Sequence, residues 1–223
     1  DGKPDVKLMS RTSASRNLVG EFMILANSIA ALYCVRNDVP IIYRTQEIAE
    51  GLPELDPDNY DPLLFEQAIK CMKKSRLSLH PQSHGGLGAD FYTQLTSPIR
   101  RYTDMVMQRQ LTGHLLGHEL PYEAEELMAV IASAETVNSE VRDVQRSADN
   151  YWLHEFIRQE MTGEECEAIV ISKAPGGYQV ELLPLHNRTR LMTPEKLTPG
   201  DRVKVLIEKV KPKRNLIQLL LQK

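Results

Sequence analysis

The sequence is poor in residues that mark a disulfide-bonded or metal-bound protein. Its 223 residues include only three cysteines, Cys34, Cys71 and Cys166, which lie far apart and form no C-x-x-C pair. This spacing predicts neither a disulfide framework nor a zinc site, and indicates reduced thiols inside a cell. His114 and His118 share a helical spacing, but no glutamate follows His114 as it does in the zinc-binding H-E-x-x-H helix. No metal site is predicted within the chain.

Long hydrophobic runs are also lacking. No apolar stretch approaches the roughly 18 residues needed to cross a membrane, and Asp1–Pro4 has the character of neither a signal nor a transit peptide. We therefore expect a cytoplasmic protein with no membrane partner. Hydrophobic residues make up 42% of the chain, which is enough to bury a core in one or two domains.

The small net charge of −3 conceals an uneven distribution. Residues 163–223 hold 11 basic and 7 acidic residues, whereas residues 1–162 hold 16 basic and 23 acidic ones. A basic C-terminal part suits binding of a phosphate backbone, because lysine and arginine release its counterions. An acidic N-terminal part restricts any nucleic-acid contact there to a confined cleft. An ordinary solvated surface is the alternative interpretation.

Hydrophobic spacing predicts an α+β protein whose N-terminal part is mainly helical. Helices are expected over 13–36, which should be largely buried, over 63–74, and over 122–159. The third carries a coiled-coil-like seam, from Leu127 to Tyr151, that should pack against other helices of this chain, with self-association as the alternative.

After residue 162 the hydrophobic period changes from helical to alternating. Five short strands are predicted, at 165–173, 178–183, 188–192, 202–210 and 215–221. Five strands with turns between them predict a small β-barrel. The two predicted domains are therefore 1–160 and 161–223.

Two adjacent arginines, Arg100 and Arg101, make the segment 92–109 the most informative part of the chain. Ser97 is a good helix N-cap and Pro98 fits the first helical position, so a helix should begin here. Cations in the first turn oppose the helix dipole and suggest a phosphate ligand. Alternatively, Arg100 pairs with Asp104 and Arg101 is only solvated.

The segment resembles the signature of the ribonuclease II (RNB) exoribonucleases, Y-x-H-F-T-S-P-I-R-R-Y-x-D-L-x-x-H-R. Residues 96–102 match without a gap, and Tyr92, Asp104 and Arg109 are also in place. Three further segments match family motifs in the family's order, namely Leu18 to Asn27, Pro40 to Gln46, and His84 with Gly86 and Leu87. Departures occur at Gln94 and Gln108, where the family usually has histidine, and at Gly20, where it has glutamate.

The resemblance implies the C-terminal portion of an RNB catalytic domain, followed by an S1-like oligonucleotide-binding (OB) barrel. Family members hydrolyse single-stranded RNA from its 3′ end to nucleoside 5′-monophosphates, using Mg²⁺ held by an aspartate cluster. The aspartates at positions 5, 38, 56, 58 and 61 do not resemble that cluster. The Mg²⁺ ligands are therefore expected outside this chain, on the N-terminal part of the same enzyme. The chain alone should be inactive, and the complete enzyme should be a monomer.

The resemblance also implies roles for individual residues of the catalytic portion. Arg100 and Arg101 would hold phosphates near the 3′ end, one of them at the scissile phosphate and the other bracing the site. Glu21 would contact the terminal ribose, although a surface glutamate is the alternative. RNA-binding candidates from the signature are Tyr92, Thr96, Ser97 and Tyr102, of which the tyrosines could instead belong to the core.

In the barrel, Gly177-Tyr178 resembles the S1 strand start whose aromatic residue stacks on a base. The backbone-contacting cations would be Arg188, Arg190, Lys211, Lys213 and Arg214, each of which could instead be solvated. Two other functions remain open from sequence. One is a non-catalytic RNA-binding module or pseudo-enzyme of the same family, and the other is a regulatory or scaffold protein that has lost its chemistry.

Overall fold

A computed structural model of the chain describes residues 3–7, 13–56 and 59–222. Asp1, Gly2 and Asp58, which entered the sequence analysis, lie outside these residues. The described chain divides into two compact units, one within Asp1–Arg11, Pro53–Ile69 and Arg142–Lys223, and the other within Thr12–Leu52 and Lys70–Val141. The division falls inside a long helix and not at residue 160, and the predicted domain boundary stays a prediction.

The helical part of the chain has four α-helices and a short antiparallel pair of strands among its described residues. In chain order these are α1 (Ala14–Arg36), β1 (Tyr43–Thr45), α2 (Pro62–Cys71), β2 (Arg76–Ser78), α3 (Tyr102–Leu115) and α4 (Ala124–Glu160). Strands β1 and β2 pair with Tyr43 opposite Ser78. One core cluster joins side chains of α1, α3, the N-terminal part of α4 and the strand region, including Cys34, Ile41, Ile42, Val106, Met107 and Leu127.

Helix α1 is not largely buried, so that prediction is wrong. Its buried residues are Asn27, Ala30, Ala31 and Cys34. A face of large apolar side chains is instead more than half exposed, comprising Leu18, Val19, Phe22, Leu25 and Ile29. The helical period identifies an apolar face, but it does not say whether the described chain covers that face.

Helix α1 is also the one described helix that is long and apolar enough to cross a membrane, by length and composition alone. Helix α1 does not contain an unbroken apolar run, because Glu21 interrupts the apolar stretch. Core helices of soluble proteins and signal sequences pass the same test, so one such helix is a weak indication. The absence of a membrane partner stays a prediction.

Helix α4 buries its apolar seam only near its two ends. Leu127 and Ile131 are buried near the start, and Ile157 near the end. Between them Val137, Val141 and Val144 are exposed, together with most of the residues from 139 to 149. The prediction that this seam packs against helices of the same chain is therefore wrong for the middle of α4.

The C-terminal part is a nearly closed five-stranded antiparallel barrel. Its strands are β3 (Glu165–Ala174), β4 (Gly177–Leu182), β5 (Asn187–Met192), β6 (Arg202–Lys211) and β7 (Leu216–Leu221), in the spatial order β5-β4-β3-β6-β7. Every boundary lies within one residue of its predicted position. Alternating residues fill the interior, among them Val170, Val180, Leu182, Leu191, Val205 and Ile207, and Ile157 of α4 packs against them.

Gly177 begins β4 where two strands approach closely. Its partner across the β4–β5 ladder is Met192. A Cβ atom at position 177 would lie 2.0 Å from the Leu191 carbonyl oxygen. No side chain fits there without moving backbone, so only glycine is compatible with this strand pairing.

Candidate nucleic-acid interface

Helix α3 begins at Tyr102, four residues later than the Ser97 cap and Pro98 start predict. Residues 98–100 form a turn, closed by the Arg101 N–H donating to the Ser97 carbonyl at 3.1 Å. The Ser97 N–H donates to Asp104 Oδ2 at 2.8 Å, so the carboxylate in the first turn of α3 fixes the segment before it. The predicted start is wrong because this contact stabilises a turn. Arg100 therefore precedes the helix, and Arg101 is its N-cap.

The two adjacent arginines have different environments. Arg101 Nη2 lies 2.7 Å from Asp104 Oδ2, and the Asp104 side chain is fully buried. Arg100 is exposed, and its Nη2 lies 3.5 Å from Ser97 Oγ, which is the limit of a hydrogen bond. The alternative pairing expected from sequence is thus reversed, because Asp104 binds Arg101 and not Arg100. Arg101 is held in place, while Arg100 faces solvent.

Three buried polar atoms around this ion pair have no hydrogen-bond partner within the described part of the chain. They are Thr96 Oγ1, Arg101 Nε and Asp104 Oδ1. Buried polar groups in folded proteins are almost always satisfied by protein or by ordered water. The predicted site residues Thr96 and Arg101 therefore each have a buried polar atom that no described residue satisfies.

Asn27 connects α1 to the signature segment. Its Nδ2 donates to the Tyr92 hydroxyl at 2.9 Å, and its Oδ1 accepts from the Leu95 N–H at 3.1 Å. Tyr92 is buried, with its ring edge-on to that of His84 at 5.4 Å. The ring of Tyr92 is thus part of the core, which is the alternative that the sequence leaves open, and its assignment as an RNA-binding residue stays a prediction.

The other two motifs also meet at the signature segment. Tyr43 forms a β-bridge with Thr93, and Gln46 forms one with His84. Arg44 Nη1 donates to Gln94 Oε1 at 3.0 Å. Residues matching three separated family motifs are therefore adjacent in the structure, which sequence order alone does not require.

The two glutamines that replace the usual histidines both make specific contacts. Gln94 accepts the hydrogen bond from Arg44. Gln108 Nε2 donates to the Leu95 carbonyl at 2.7 Å, which ties α3 to the segment before it. These departures from the family pattern are compatible with the local structure.

Glu21 and Tyr102 are both accessible to a ligand. Glu21 is exposed on α1 and lines a cavity of about 370 Å³ with Asp90 and the chain around Leu87. Neither Arg100 nor Arg101 lines that cavity in the described structure. Tyr102 is 54% exposed directly after the arginine pair, so its ring is positioned to contact a ligand bound there.

Arg188 is a structural residue of the barrel and not a solvated cation. Its Nη1 lies 2.5 Å from Glu66 Oε2, and its Nε lies 3.1 Å from Glu181 Oε2. The buried Glu181 carboxylate also accepts from the Tyr60 hydroxyl at 3.1 Å and contacts His186 Nδ1 at 2.9 Å. Burial, together with the Glu181 charge, raises the pKa of Tyr60. The Arg188 guanidinium is thus paired within the barrel unit, and its assignment as an RNA-backbone contact stays a prediction.

This network escapes sequence reasoning because Glu66 and Glu181 lie 115 residues apart in the chain. One signal was available in β4, where Glu181 stands between the apolar residues Val180 and Leu182. A carboxylate inside an apolar strand predicts a buried cationic partner, since unpaired buried charges are strongly unfavourable.

Tyr178 is buried in the barrel, and its stacking on a base stays a prediction. Its hydroxyl accepts a hydrogen bond from the Leu197 N–H at 2.9 Å. The remaining barrel cations are more accessible. Arg190, Lys213 and Arg214 are exposed, and Lys211 is half-buried. Lys213 and Arg214 belong to a 3₁₀ turn between β6 and β7.

Comparisons with known proteins agree with the motif resemblance. Residues 48–117 match the RNB domain family. An uncharacterized ribonuclease of Synechocystis is 31% identical over 94% of this chain, and the chloroplastic/mitochondrial ribonuclease II of Arabidopsis thaliana is 28% identical over 97% of it. The chain spans 32% and 28% of the lengths of these two relatives.

Solved structures show the same fold. The Dss1 exoribonuclease of Candida glabrata, crystallised as an active-site mutant, aligns over 91% of this chain and 28% of its own, with a TM-score of 0.77 and 23% identity. RNase R of Mycoplasma genitalium, solved with ribose-methylated single-stranded RNA, aligns over 93% of this chain and 42% of its own, with a TM-score of 0.74 and 18% identity. The chain therefore contains a match to the RNB domain, has relatives named as ribonucleases, and shares the fold of these exoribonuclease structures.

Proposed function

We propose that this chain is the RNA-binding part of a hydrolytic exoribonuclease that shortens single-stranded RNA from its 3′ end, releasing nucleoside 5′-monophosphates. Its relatives are ribonucleases II and R. RNase R of Mycoplasma genitalium has been solved with single-stranded and with double-stranded RNA. These names support RNA as the ligand. Direction, products and hydrolysis come from the resemblance of residues 92–109 to the family signature.

The observation that supports the proposal is that the two adjacent arginines have different environments. Arg101 is fixed by the buried Asp104, whereas Arg100 is exposed at the same turn. A guanidinium that has no strong carboxylate partner is suited to bind a phosphate through charge-assisted hydrogen bonds. We assign the phosphate contact to Arg100, and we assign Arg101 as the positioning residue that holds the turn.

Magnesium ligands are proposed to lie outside this chain. Within the described residues no group of three or more His, Cys, Asp or Glu side chains is placed to hold a metal ion. Bound Mg²⁺ would activate water and neutralise charge on the scissile phosphate. We propose that the ligands come from the N-terminal part of the same enzyme, which acts as a cytoplasmic monomer.

The test measures binding and degradation of a 3′-labelled single-stranded RNA. Arg100→Ala should weaken RNA binding by this chain about tenfold, which corresponds to the loss of one charge-assisted contact. In the product of the whole gene, assayed with Mg²⁺, it should also slow release of monophosphates. Arg146→Ala, an exposed arginine of α4, is the matched control. Unchanged binding and degradation in Arg100→Ala would refute the assignment.

A non-catalytic RNA-binding relative is the second candidate. The yeast pseudonuclease Ssd1 aligns over 78% of this chain with a TM-score of 0.55, so the fold is shared by a protein described as lacking nuclease activity. RNA binding that depends on Arg100, without release of monophosphates by the whole gene product, would favour this second function.

A further inference from the structure

The acidic N-terminal part of the chain contains one concentrated basic segment, residues 70–76. This segment holds four of the sixteen basic residues of that part and no acidic residue. Lys73, Lys74 and Arg76 are exposed, and their side chains form no salt bridge with any residue that the structure describes. Lys70 already takes part in another interaction. Three charged side chains are therefore accessible to an anionic partner.

Hydrogen bonds from the β1 region hold the basic segment in place. Arg44 Nη2 donates to Ser75 Oγ at 2.8 Å, and Gln46 Nε2 donates to the Lys73 carbonyl at 2.6 Å. Arg76 is the first residue of β2, which pairs with β1. The backbone that carries the cations is thus fixed before any ligand binds, which reduces the entropy that binding costs.

The basic segment borders a cavity of about 370 Å³. Its described lining residues are all polar or charged, and comprise Thr45, Gln46, Glu47, Lys74, Arg76, Gln82 and Ser83. Two cations stand against one carboxylate, and the hydroxyl and amide groups add neutral donors. Such a lining suits a phosphate group, which accepts several hydrogen bonds and is strengthened by cationic donors. A concave basic surface also agrees with the confined nucleic-acid contact expected of an acidic part.

Arg44 connects the basic segment to the signature segment. The same guanidinium that donates to Ser75 also donates to Gln94 Oε1 at 3.0 Å. Single-stranded RNA carries one negative charge per nucleotide, so a strand held at Arg100 has further phosphates for separate cations. An acidic peptide would match only the charge of the basic segment. RNA matches the charge and also the connection to the segment that carries Arg100.

We propose that Lys73, Lys74 and Arg76 form a second contact for the phosphate backbone of the RNA strand, outside the turn that carries Arg100 and Arg101. The three cations bind the strand through charge and do not read its bases, because phosphate contacts carry no sequence information. This inference rests on the proposed RNA-binding function. It adds a surface to which neither the signature segment nor the barrel contributes a residue.

The experiment measures how salt weakens binding of a labelled single-stranded RNA to the 223-residue chain, by fluorescence anisotropy. Each phosphate contact contributes about 0.7 to the slope of log K against log salt concentration for a single strand. A triple variant replaces all three cations, by Lys73→Gln, Lys74→Gln and Arg76→Gln together. Its slope should be smaller than that of the wild type by about 2.

Two further variants separate a specific contact from general effects of charge and of structure. The matched control removes three exposed cations elsewhere, by Arg36→Gln, Arg142→Gln and Arg146→Gln together, and should keep the wild-type slope. A charge-conserving variant exchanges lysine and arginine at the three proposed positions and should also keep it. Equal loss of slope in the triple variant and the control, or loss in the charge-conserving variant, overturns the proposal.

Failure of the second contact is distinguishable from failure of the proposed function. A wild-type slope in the triple variant, with binding weakened in Arg100→Ala, overturns the second contact and leaves the proposed function intact. A reduced slope in the triple variant, with unchanged binding in Arg100→Ala, supports the second contact and refutes the assignment of Arg100. Absence of RNA binding by the wild-type chain overturns both.

Discussion

The side chain of Asn27 joins α1 to Tyr92, which lies 65 residues further along the chain. A single carboxamide donates to the tyrosine hydroxyl and accepts from the Leu95 backbone. Asn27 is buried, so water does not compete for these bonds. Asn27, the last residue of the motif that begins at Leu18, therefore stabilises the segment that carries the arginines.

Asn27→Ala should lower the free energy of unfolding by about 1–3 kcal/mol, because it leaves a buried hydroxyl and a buried N–H without partners. Urea unfolding measures the change. Asn17→Ala, an exposed position on the same helix, is the matched control and should not destabilise the protein. Equal effects of the two substitutions would show that the Asn27 contacts contribute nothing.

The adjacent arginines should differ in their effect on stability. Arg101→Ala leaves the fully buried Asp104 carboxylate without its cation, and we expect a loss of about 2–3 kcal/mol, since Arg101 itself is partly exposed. Arg100→Ala should change stability by less than about 0.5 kcal/mol. Thermal and urea unfolding of both variants provide the measurement, and a larger loss from Arg100→Ala would contradict the geometry.

Protonation of His84 should lower the free energy of unfolding in mild acid. Burial, and then the nearby Arg44 charge, lower the pKa of His84 from its ordinary value of 6.5. The unfolded chain therefore binds the proton more readily, so the contribution of His84 is present above pH 6.5 and is lost as the pH falls toward the folded pKa.

Urea midpoints at neutral pH and at mildly acidic pH test this dependence. His84→Gln removes the buried imidazole and should therefore reduce the difference between the two urea midpoints. His118→Gln, at an exposed histidine, should leave that difference as it is in the wild type. If both variants keep the wild-type difference, His84 does not cause it.

Substitutions at Tyr102 and Tyr178 should differ in their effects on RNA affinity and on stability. Tyr102→Ala removes an exposed ring beside the arginine turn, and loss of base stacking should weaken single-stranded RNA binding by about 1–3 kcal/mol. Tyr178→Phe removes only the buried hydroxyl that binds the Leu197 N–H, so stability should fall while RNA affinity is retained. Fluorescence anisotropy with labelled RNA gives the affinities, and full RNA affinity in Tyr102→Ala would contradict the contact assigned to Tyr102.

Sequence reasoning is accurate where one local pattern decides the structure. The alternation from Glu165 to Leu221 gives every strand boundary to within one residue, because burial of one strand face imposes a period of two. The start of α3 is misplaced because Asp104, seven residues further on, binds the Ser97 N–H. A contact of that kind depends on folded geometry, which local capping rules do not include.

Burial is the property that sequence predicted least well. The apolar faces of α1 and of the middle of α4 were expected to be covered, and both are exposed in the described chain. Conversely, Tyr92 and Tyr178 were candidates for RNA contact and are core residues. A pattern shows that a side chain is apolar or aromatic, but what packs against it depends on the tertiary fold.

The close approach at Gly177 gives the Gly177-Tyr178 pair a structural role in the barrel. The absence of a side chain at Gly177 leaves room for the Leu191 carbonyl, and the hydroxyl of the adjacent Tyr178 accepts a hydrogen bond from the Leu197 N–H. The glycine–tyrosine pair is thus a requirement for closing the β4–β5 hairpin and anchoring the following loop. Closure of the hairpin is by itself a sufficient reason for the pair in this protein, so a glycine–tyrosine pair at this position is not on its own a sign of RNA binding.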